Sequence, residues 1–272
     1  MTQANDSVQR PGPGGRPRSY KTEAIVLRSR DAHEADRLVT VLTPSMGKLM
    51  VTVRGARRIN SRLGGHLDVF NRTSLTLALG HRFDVVTGAE SLESFAVLKG
   101  DLERLAHGLY LMELADALLP EAAPHPSVYT LLVEALRALN GPDITAAVPR
   151  YVELRMLEDA GYLPELQQCL VCGKEIEPER HRYAPGLGGV VCDTCTVPVG
   201  PVLPLSLDAL KVLRHFARSD FVAAVRIDLG PALRDELEAA LGASLRHVLE
   251  REMATAEFVD HLRRLRARLK VS

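Results

Sequence analysis

The chain has 272 residues, 46% of them hydrophobic and 25% charged, with 34 Lys+Arg against 34 Asp+Glu. This is the composition of an ordinary globular protein with room for two or three domains, and it excludes a low-complexity or strongly acidic chain. No run of 18 apolar residues exists and residues 1–18 lack an apolar stretch, so neither a transmembrane helix nor a signal peptide is expected.

The zero net charge is a sum of unlike parts. Residues 1–83 hold 14 Lys/Arg and 6 Asp/Glu, residues 84–168 hold 5 and 14, and residues 169–272 hold 15 and 14. A basic first third can attract nucleic acid, or it can simply attract the acidic middle.

Taken in order, residues 1–19 contain Pro11-Gly12-Pro13-Gly14-Gly15-Arg16-Pro17 and too few apolar side chains to bury, so a disordered tail is expected there. Strands are expected at 22–27, 38–42 and 49–53, the last two forming a hairpin around Thr43-Pro44-Ser45-Met46-Gly47. Residues 75–79 alternate at period two, and a fifth strand, 83–87, follows the turn Gly80-His81-Arg82. Five strands within roughly 70 residues suggest a small closed barrel, with the oligonucleotide-binding (OB) fold as the commonest candidate. An SH3-like barrel is the alternative.

The period then becomes helical. Leu102, Leu105, Leu109 and Met112 share one face, and Pro124 and Pro126 break the chain. Ser127 opens a second helix to Leu139, and Gly141-Pro142-Asp143 leads into a third ending near Gly161. Ser206 caps a fourth, Leu233 to Leu249 mark a long one, and Phe258, Leu262, Leu265 and Leu269 a last one. The expectation is an α+β protein without internal repeats. It comprises a tail at 1–19, an OB-like barrel at 20–97, and a helical domain at 98–168 and 201–272 interrupted by an insertion at 169–200.

That insertion holds all four cysteines, as Cys169-Leu-Val-Cys172 and Cys192-Asp-Thr-Cys195, with 19 residues between the pairs. Each C-x-x-C turn can grip one side of a tetrahedral ion, and the spacing is that of a four-cysteine zinc site. One structural Zn²⁺ per chain is therefore expected. Two disulfides are the alternative, which the lack of a secretion signal disfavours. A closed site of this kind leaves no position for a reacting water, so the cysteines point to a staple and not a catalyst.

The functional signal lies in Arg54-Gly55-Ala56-Arg57-Arg58-Ile59-Asn60-Ser61-Arg62, four arginines in a turn-like stretch after the third strand. Guanidiniums clamp phosphates through forked hydrogen bonds, and Gly55 permits close backbone approach. With Lys21, Arg28, Arg37 and Lys48 on neighbouring strands, residues Arg54, Arg57, Arg58 and Arg62 form the expected DNA-binding set. A solvated surface loop is the bland reading. Aromatics are only 4% of the chain and Trp is absent, so binding is expected to lean on phosphates and to be salt-sensitive. The acids Asp31, Glu34 and Asp36 are read as a salt-bridge cluster with Arg30 and Arg37 and not as a Mg²⁺ site. Arg263, Arg264, Arg266, Arg268 and Lys270 complement the dipole of the last helix. No Walker A loop, G-x-S-x-G or H-E-x-x-H motif occurs. No catalytic residue and no small-molecule substrate are expected.

Read together, these stretches resemble the bacterial RecO family of recombination mediators. The resemblance is carried by residues 20–31 followed by Glu34-Ala-Asp-Arg-Leu38, by Leu42-Thr-Pro44 with Gly47-Lys48, and by Gly55-Ala-Arg-Arg58 with Ser61. It continues through Leu105 to Leu119 and through Leu154-Arg-Met-Leu157 and Gly161-Tyr-Leu-Pro164 into Cys169. It implies an OB domain, a helical domain and a zinc ribbon. It further implies binding of single- and double-stranded DNA and annealing of complementary strands. With RecR, such a protein helps load RecA onto strands coated by single-strand-binding protein, in the cytoplasm and at the nucleoid. Two other readings stay open: a zinc-ribbon scaffold or regulator whose barrel binds protein, and a metal-dependent hydrolase.

Overall fold

The structure, a computed structural model, describes residues 19–32, 35–56, 63–142, 146–178, 180–198, 200–256, 258–259 and 261–262. The chain forms two compact units, Met1–Asn140 and Gly141–Ser272. The tail expected at 1–19 lies outside the described residues except for Ser19.

In the first unit, β1 (Ser19–Ala32), β2 (Asp36–Thr43), β3 (Gly47–Val53), β4 (Arg72–Ala78) and β5 (Asp84–Glu93) close into a barrel of order β1-β2-β3-β5-β4. β1 completes the circle, pairing with β4 along its first half and with β2 along its second. Its register slips between Val26 and Arg28, a bulge that bends the strand so that it serves both neighbours. β3 and β5 run parallel, with Val51 opposite Asp84, while the other neighbours are antiparallel. This connectivity is that of the OB fold, as expected, and not of an SH3-like barrel.

Period-two alternation sends Val39, Val41, Val51, Val53, Leu75 and Leu77 into the barrel. Burying each such side chain contributes about 1.5–3 kcal/mol. Tyr20 brings a hydroxyl into this interior and donates it to Asp84 at 2.6 Å. Asp84 also accepts the Gly80 N–H at 3.1 Å, tying β5 to the turn before it.

Three helices complete the unit: α1 (Ala96–Gly100), α2 (Leu102–Leu118) and α3 (Pro126–Leu139). Asp101 starts α2 by accepting the N–H groups of Glu103 and Arg104, each at 3.0 Å. The α2–α3 connection runs beside β3, where Ala122 donates its N–H to the Lys48 carbonyl at 2.9 Å. Gly47 has a φ of +70°, and a Cβ there would collide with the Ala123 carbonyl. The hairpin turn and the connection are thus compatible only with glycine at this position. Arg72 joins barrel and helix: it donates to Glu23 and to Glu93, each at 2.7 Å, while Arg137 of α3 donates twice to Glu93 at 2.8 Å.

The second unit contains α4 (Ala147–Asp159), β6 (His181–Ala184), β7 (Gly189–Cys192), β8 (Leu203–Pro204), α5 (Leu207–Arg218), α6 (Phe221–Ala224) and α7 (Pro231–Leu249). The strands form a small sheet of order β7-β6-β8. Tyr183 is fully buried and its hydroxyl meets Ser244 of α7 at 2.6 Å, which fastens the sheet to the helices. Tyr151 of α4 packs edge-on against Phe216 and Phe221, at 5.6 and 5.7 Å between ring centroids. Ser206 caps α5 as expected, accepting the Ala209 N–H at 3.1 Å.

Several elements exceed their sequence signal. β1 has 14 residues and β5 runs on to Glu93, although Thr87-Gly-Ala-Glu-Ser-Leu-Glu is poor in strand formers. Its pairing with β4 holds it extended, so tertiary contact overrides propensity. Leu79, expected inside the fourth strand, lies past its end and is 41% exposed. The short α1, α6 and β8 have too few residues to show a period. Of the last expected helix, residues 254–256, 258–259 and 261–262 are helical, and 263–272 lie outside the described residues.

Candidate nucleic-acid interface and metal centre

The outer wall of the barrel is defined by register. Arg28, Thr40 and Met50 are cross-strand neighbours on β1, β2 and β3, as are Arg30, Leu38 and Thr52. The β3–β5 pairing places Val85 beside Thr52. Phe83 stands one residue before Asp84, just ahead of β5. Asp84 and Val86 are buried, so Val85 faces outward by alternation. The wall thus carries two rows, Arg28–Thr40–Met50 and Arg30–Leu38–Thr52–Val85. Arg28 and Arg30 are exposed and Thr40 is buried, while Leu38, Met50, Thr52, Phe83 and Val85 are half-buried. An Arg30 Nη2 donates to the Met50 sulfur at 3.7 Å. The exposed Arg82 lays its guanidinium over the Phe83 ring, 5.1 Å from the centroid.

The expected cations do not form one patch. Arg28 lies on this wall, its side chain 55% exposed and 3.6 Å from Asp116. Lys21 is exposed on the opposite part of β1, paired with Thr76 of β4. Arg37 is half-buried across from Asp31, with Nε 3.8 Å from the carboxylate. Lys48 does not join the exposed set. It is only 8% exposed, and its ammonium lies 3.3 Å from the Asp116 carboxylate and donates to the Asp116 carbonyl. A cation held this way under α2 is occupied by the fold. Arg54 is exposed just past β3, and the next N–H, of Gly55, donates to Asp36 at 2.8 Å. Arg57, Arg58 and Arg62 lie outside the described residues, as does Glu34. The acidic cluster therefore divides its work: Asp31 faces Arg37 and Asp36 anchors the start of the basic stretch.

In the second unit the four cysteine sulfurs gather within 4.8 Å of one another. Cys169 Sγ is 3.8 Å from Cys195 Sγ, and Cys172 Sγ is 3.7 Å from Cys192 Sγ. All four cysteines are free, and these separations are well beyond the ~2.05 Å of a disulfide bond. A tetrahedron of ~2.3 Å zinc–sulfur bonds has edges of about 3.8 Å, and the separations fit it. The first C-x-x-C turn closes through Gly173, at φ +72°, whose N–H donates to the Cys169 carbonyl at 2.8 Å. The second turn closes through the Cys195 N–H on the Cys192 carbonyl at 3.3 Å.

The electrostatics favour an ion. Burial opposes ionisation of Cys169, but N–H groups of Cys192, Cys172 and Val171 outweigh it and lower its pKa to about 6. The Cys192 thiol is instead pushed up to about 12, by burial and by its negative neighbours Cys169 and Cys172. One thiolate forms readily and then resists the next, a conflict that a bound cation resolves. His181 sits opposite Cys192 on β6, 6% exposed, with neither ring nitrogen hydrogen-bonded among the described residues.

Comparison with known proteins decides the kinship. The family described as Recombination protein O N terminal matches residues 18–95, and Recombination protein O C terminal matches residues 99–256. The chain belongs to the RecO family. A protein of Roseiflexus sp. (strain RS-1) named DNA repair protein RecO is 40% identical over 250 residues, 92% of this chain and 88% of that one. Proteins of the same name from Dehalococcoides mccartyi (strain CBDB1) and Symbiobacterium thermophilum are 33% and 36% identical, covering 91% of this chain and 98% and 99% of theirs. The N-terminal RecO match ends just past β5, and the C-terminal match spans α2 to α7 together with the cysteine sheet.

Gly80-His81-Arg82 was legible as a turn. Among the described residues no helix is long and apolar enough to cross a membrane.

Proposed function

We propose that this RecO-family protein acts in DNA repair and homologous recombination as a mediator. It binds single- and double-stranded DNA, anneals complementary strands and, with RecR, helps load RecA onto strands coated by single-strand-binding protein. The observation that carries this reading is an OB-topology barrel whose outer wall bears Arg28 and Arg30 around half-buried apolar side chains. The module that meets DNA is residues 20–97. Lys21, Arg28, Arg37, Arg54, Arg57, Arg58 and Arg62 supply phosphate contacts, while Lys48 acts as a strut beneath them. The protein works by binding and pairing strands in the cytoplasm, without a covalent step of its own.

Cys169, Cys172, Cys192 and Cys195 hold one structural Zn²⁺. With four thiolates the ion is closed to water and supplies cross-linking alone.

Titration of single-stranded DNA at several salt concentrations tests the proposal. By counterion release, Arg57→Ala/Arg58→Ala should flatten the log–log salt slope by ~1.4 and weaken binding. Complementary oligonucleotides should anneal faster with the protein than without it. No DNA binding in either assay, with the barrel instead retaining a protein partner, would favour the scaffold reading.

A further inference from the structure

We infer that Arg182 is a positioning residue of the metal centre: its guanidinium spans both ends of the Cys192–Cys195 turn and holds that turn in the shape that grips the ion. The inference rests on the zinc reading and names a determinant of metal affinity outside the four ligands.

The two cysteine turns are built differently. The first is followed by Gly173 at φ +72°, whose N–H closes it on the Cys169 carbonyl at 2.8 Å. Cys169 Sγ also accepts the N–H groups of Val171 at 3.4 Å and of Cys192 at 3.3 Å. The second turn is followed by Thr196 instead of a glycine, and its closing bond, from the Cys195 N–H to the Cys192 carbonyl, is long at 3.3 Å. Arg182 supplies what this turn lacks. Its Nη2 donates to the Cys192 carbonyl at 3.3 Å and to the Cys195 carbonyl at 2.7 Å. A rigid guanidinium that meets both carbonyls fixes the spacing of the two ligand residues.

The base of this clamp is firm. Arg182 lies on β6 between His181, which pairs with Cys192, and Tyr183, which is fully buried and meets Ser244 of α7. Arg182 itself pairs with Val191 of β7 and with Pro204 of β8, so its backbone is held on both sides. Its charge suits the site as well. Four thiolates around one Zn²⁺ leave negative charge in excess, and Arg182 sets a permanent cation beside two of the ligand residues. Arg180, two residues earlier, is the contrast. Its side chain is 58% exposed and its Nε reaches the Asp193 carboxylate at 3.3 Å, not a ligand carbonyl.

The test uses the full-length protein and reads metal affinity. Zinc dissociation constants come from competition with a chromophoric chelator, and cobalt(II) reports geometry through the absorption bands of a tetrahedral thiolate site. Arg182→Met keeps an unbranched stem and removes the donors and the charge. It should weaken zinc binding about 10- to 100-fold, while saturating cobalt still gives the four-sulfur spectrum of the parent. Arg180→Met loses only an exposed ion pair and should stay within about threefold of the parent. Stripped of metal, Arg182→Met and the parent should unfold at the same temperature, and with zinc bound the variant should unfold earlier. Zinc affinity of Arg182→Met within about threefold of the parent, an equal loss in Arg180→Met, or the same drop in unfolding temperature with and without metal would overturn the role of Arg182 while leaving the zinc site intact. A parent protein that binds neither zinc nor cobalt would overturn both readings.

Discussion

Glu153 is fully buried and Arg150 is 4% exposed, and the two pair at 2.8 Å within α4. Arg150 also reaches Glu238 of α7 at 3.3 Å. Removing one partner of a buried pair leaves an uncompensated charge, so Arg150→Ala should cost about 3–5 kcal/mol, read from denaturant midpoints. Replacing Arg150 and Glu153 together by Met should restore most of that loss, because the penalty lies in the unpaired charge and not in absent attraction. Glu93 offers a pH signature. The Arg137 hydrogen bonds, joined by those of Arg72 and opposed by partial burial, lower its pKa from 4.5 to about 2. A depressed carboxylate pKa stabilises the fold fully above 4.5 and stops doing so as the pH falls through about 2. Arg137→Ala should therefore narrow this window and move acid unfolding to higher pH, as followed by circular dichroism. Neither network was legible beforehand. Burial of the Arg150–Glu153 pair and its reach to Glu238 depend on the packing of α7, and the Arg137 contact to Glu93 depends on α3.

Among the elements, the cysteine sheet has the least material to hold itself together. Its three strands have four, four and two residues, and Tyr183 is its anchor to α7. A structural Zn²⁺ contributes about 10–16 kcal/mol of apparent binding energy to a small fold. Cys172→Ser, or chelation, should therefore lower thermal stability and solubility while leaving DNA affinity per folded molecule within about twofold by the counterion logic, since no phosphate contact is removed. Loss of DNA binding from a chelated protein of unchanged stability would make the cysteine sheet part of the interface instead. The cysteines were the clearest motif in the chain because ligand spacing is a local property. The barrel was legible for the same reason, through the hairpin runs of β2 and β3 and the alternation in β4. The second half of β5 was not, since its extended form comes from β4 and not from its own side chains.

At the scale of the whole molecule, the unit Met1–Asn140 holds the barrel together with α1, α2 and α3. Lys48 against Asp116, Gly47 beneath Ala123 and Arg72 with Glu93 and Arg137 all lie within it. Residues 1–140 expressed alone should thus unfold in one cooperative transition and keep the DNA binding of the parent. A segment ending at residue 97 leaves Lys48 and Glu93 without their helical partners and should be less stable, by calorimetry. The sequence by itself determined the class of fold, the strands with clean alternation, the helices with clear caps and the pairing of the four cysteines into one candidate metal site. Each of these is set by neighbours a few residues apart. Only the tertiary structure decided which basic residues are available. It sent Lys48 under α2 and left Arg28 and Arg30 on the open wall. Side-chain exposure depends on contacts between residues far apart in the chain, which no local pattern records.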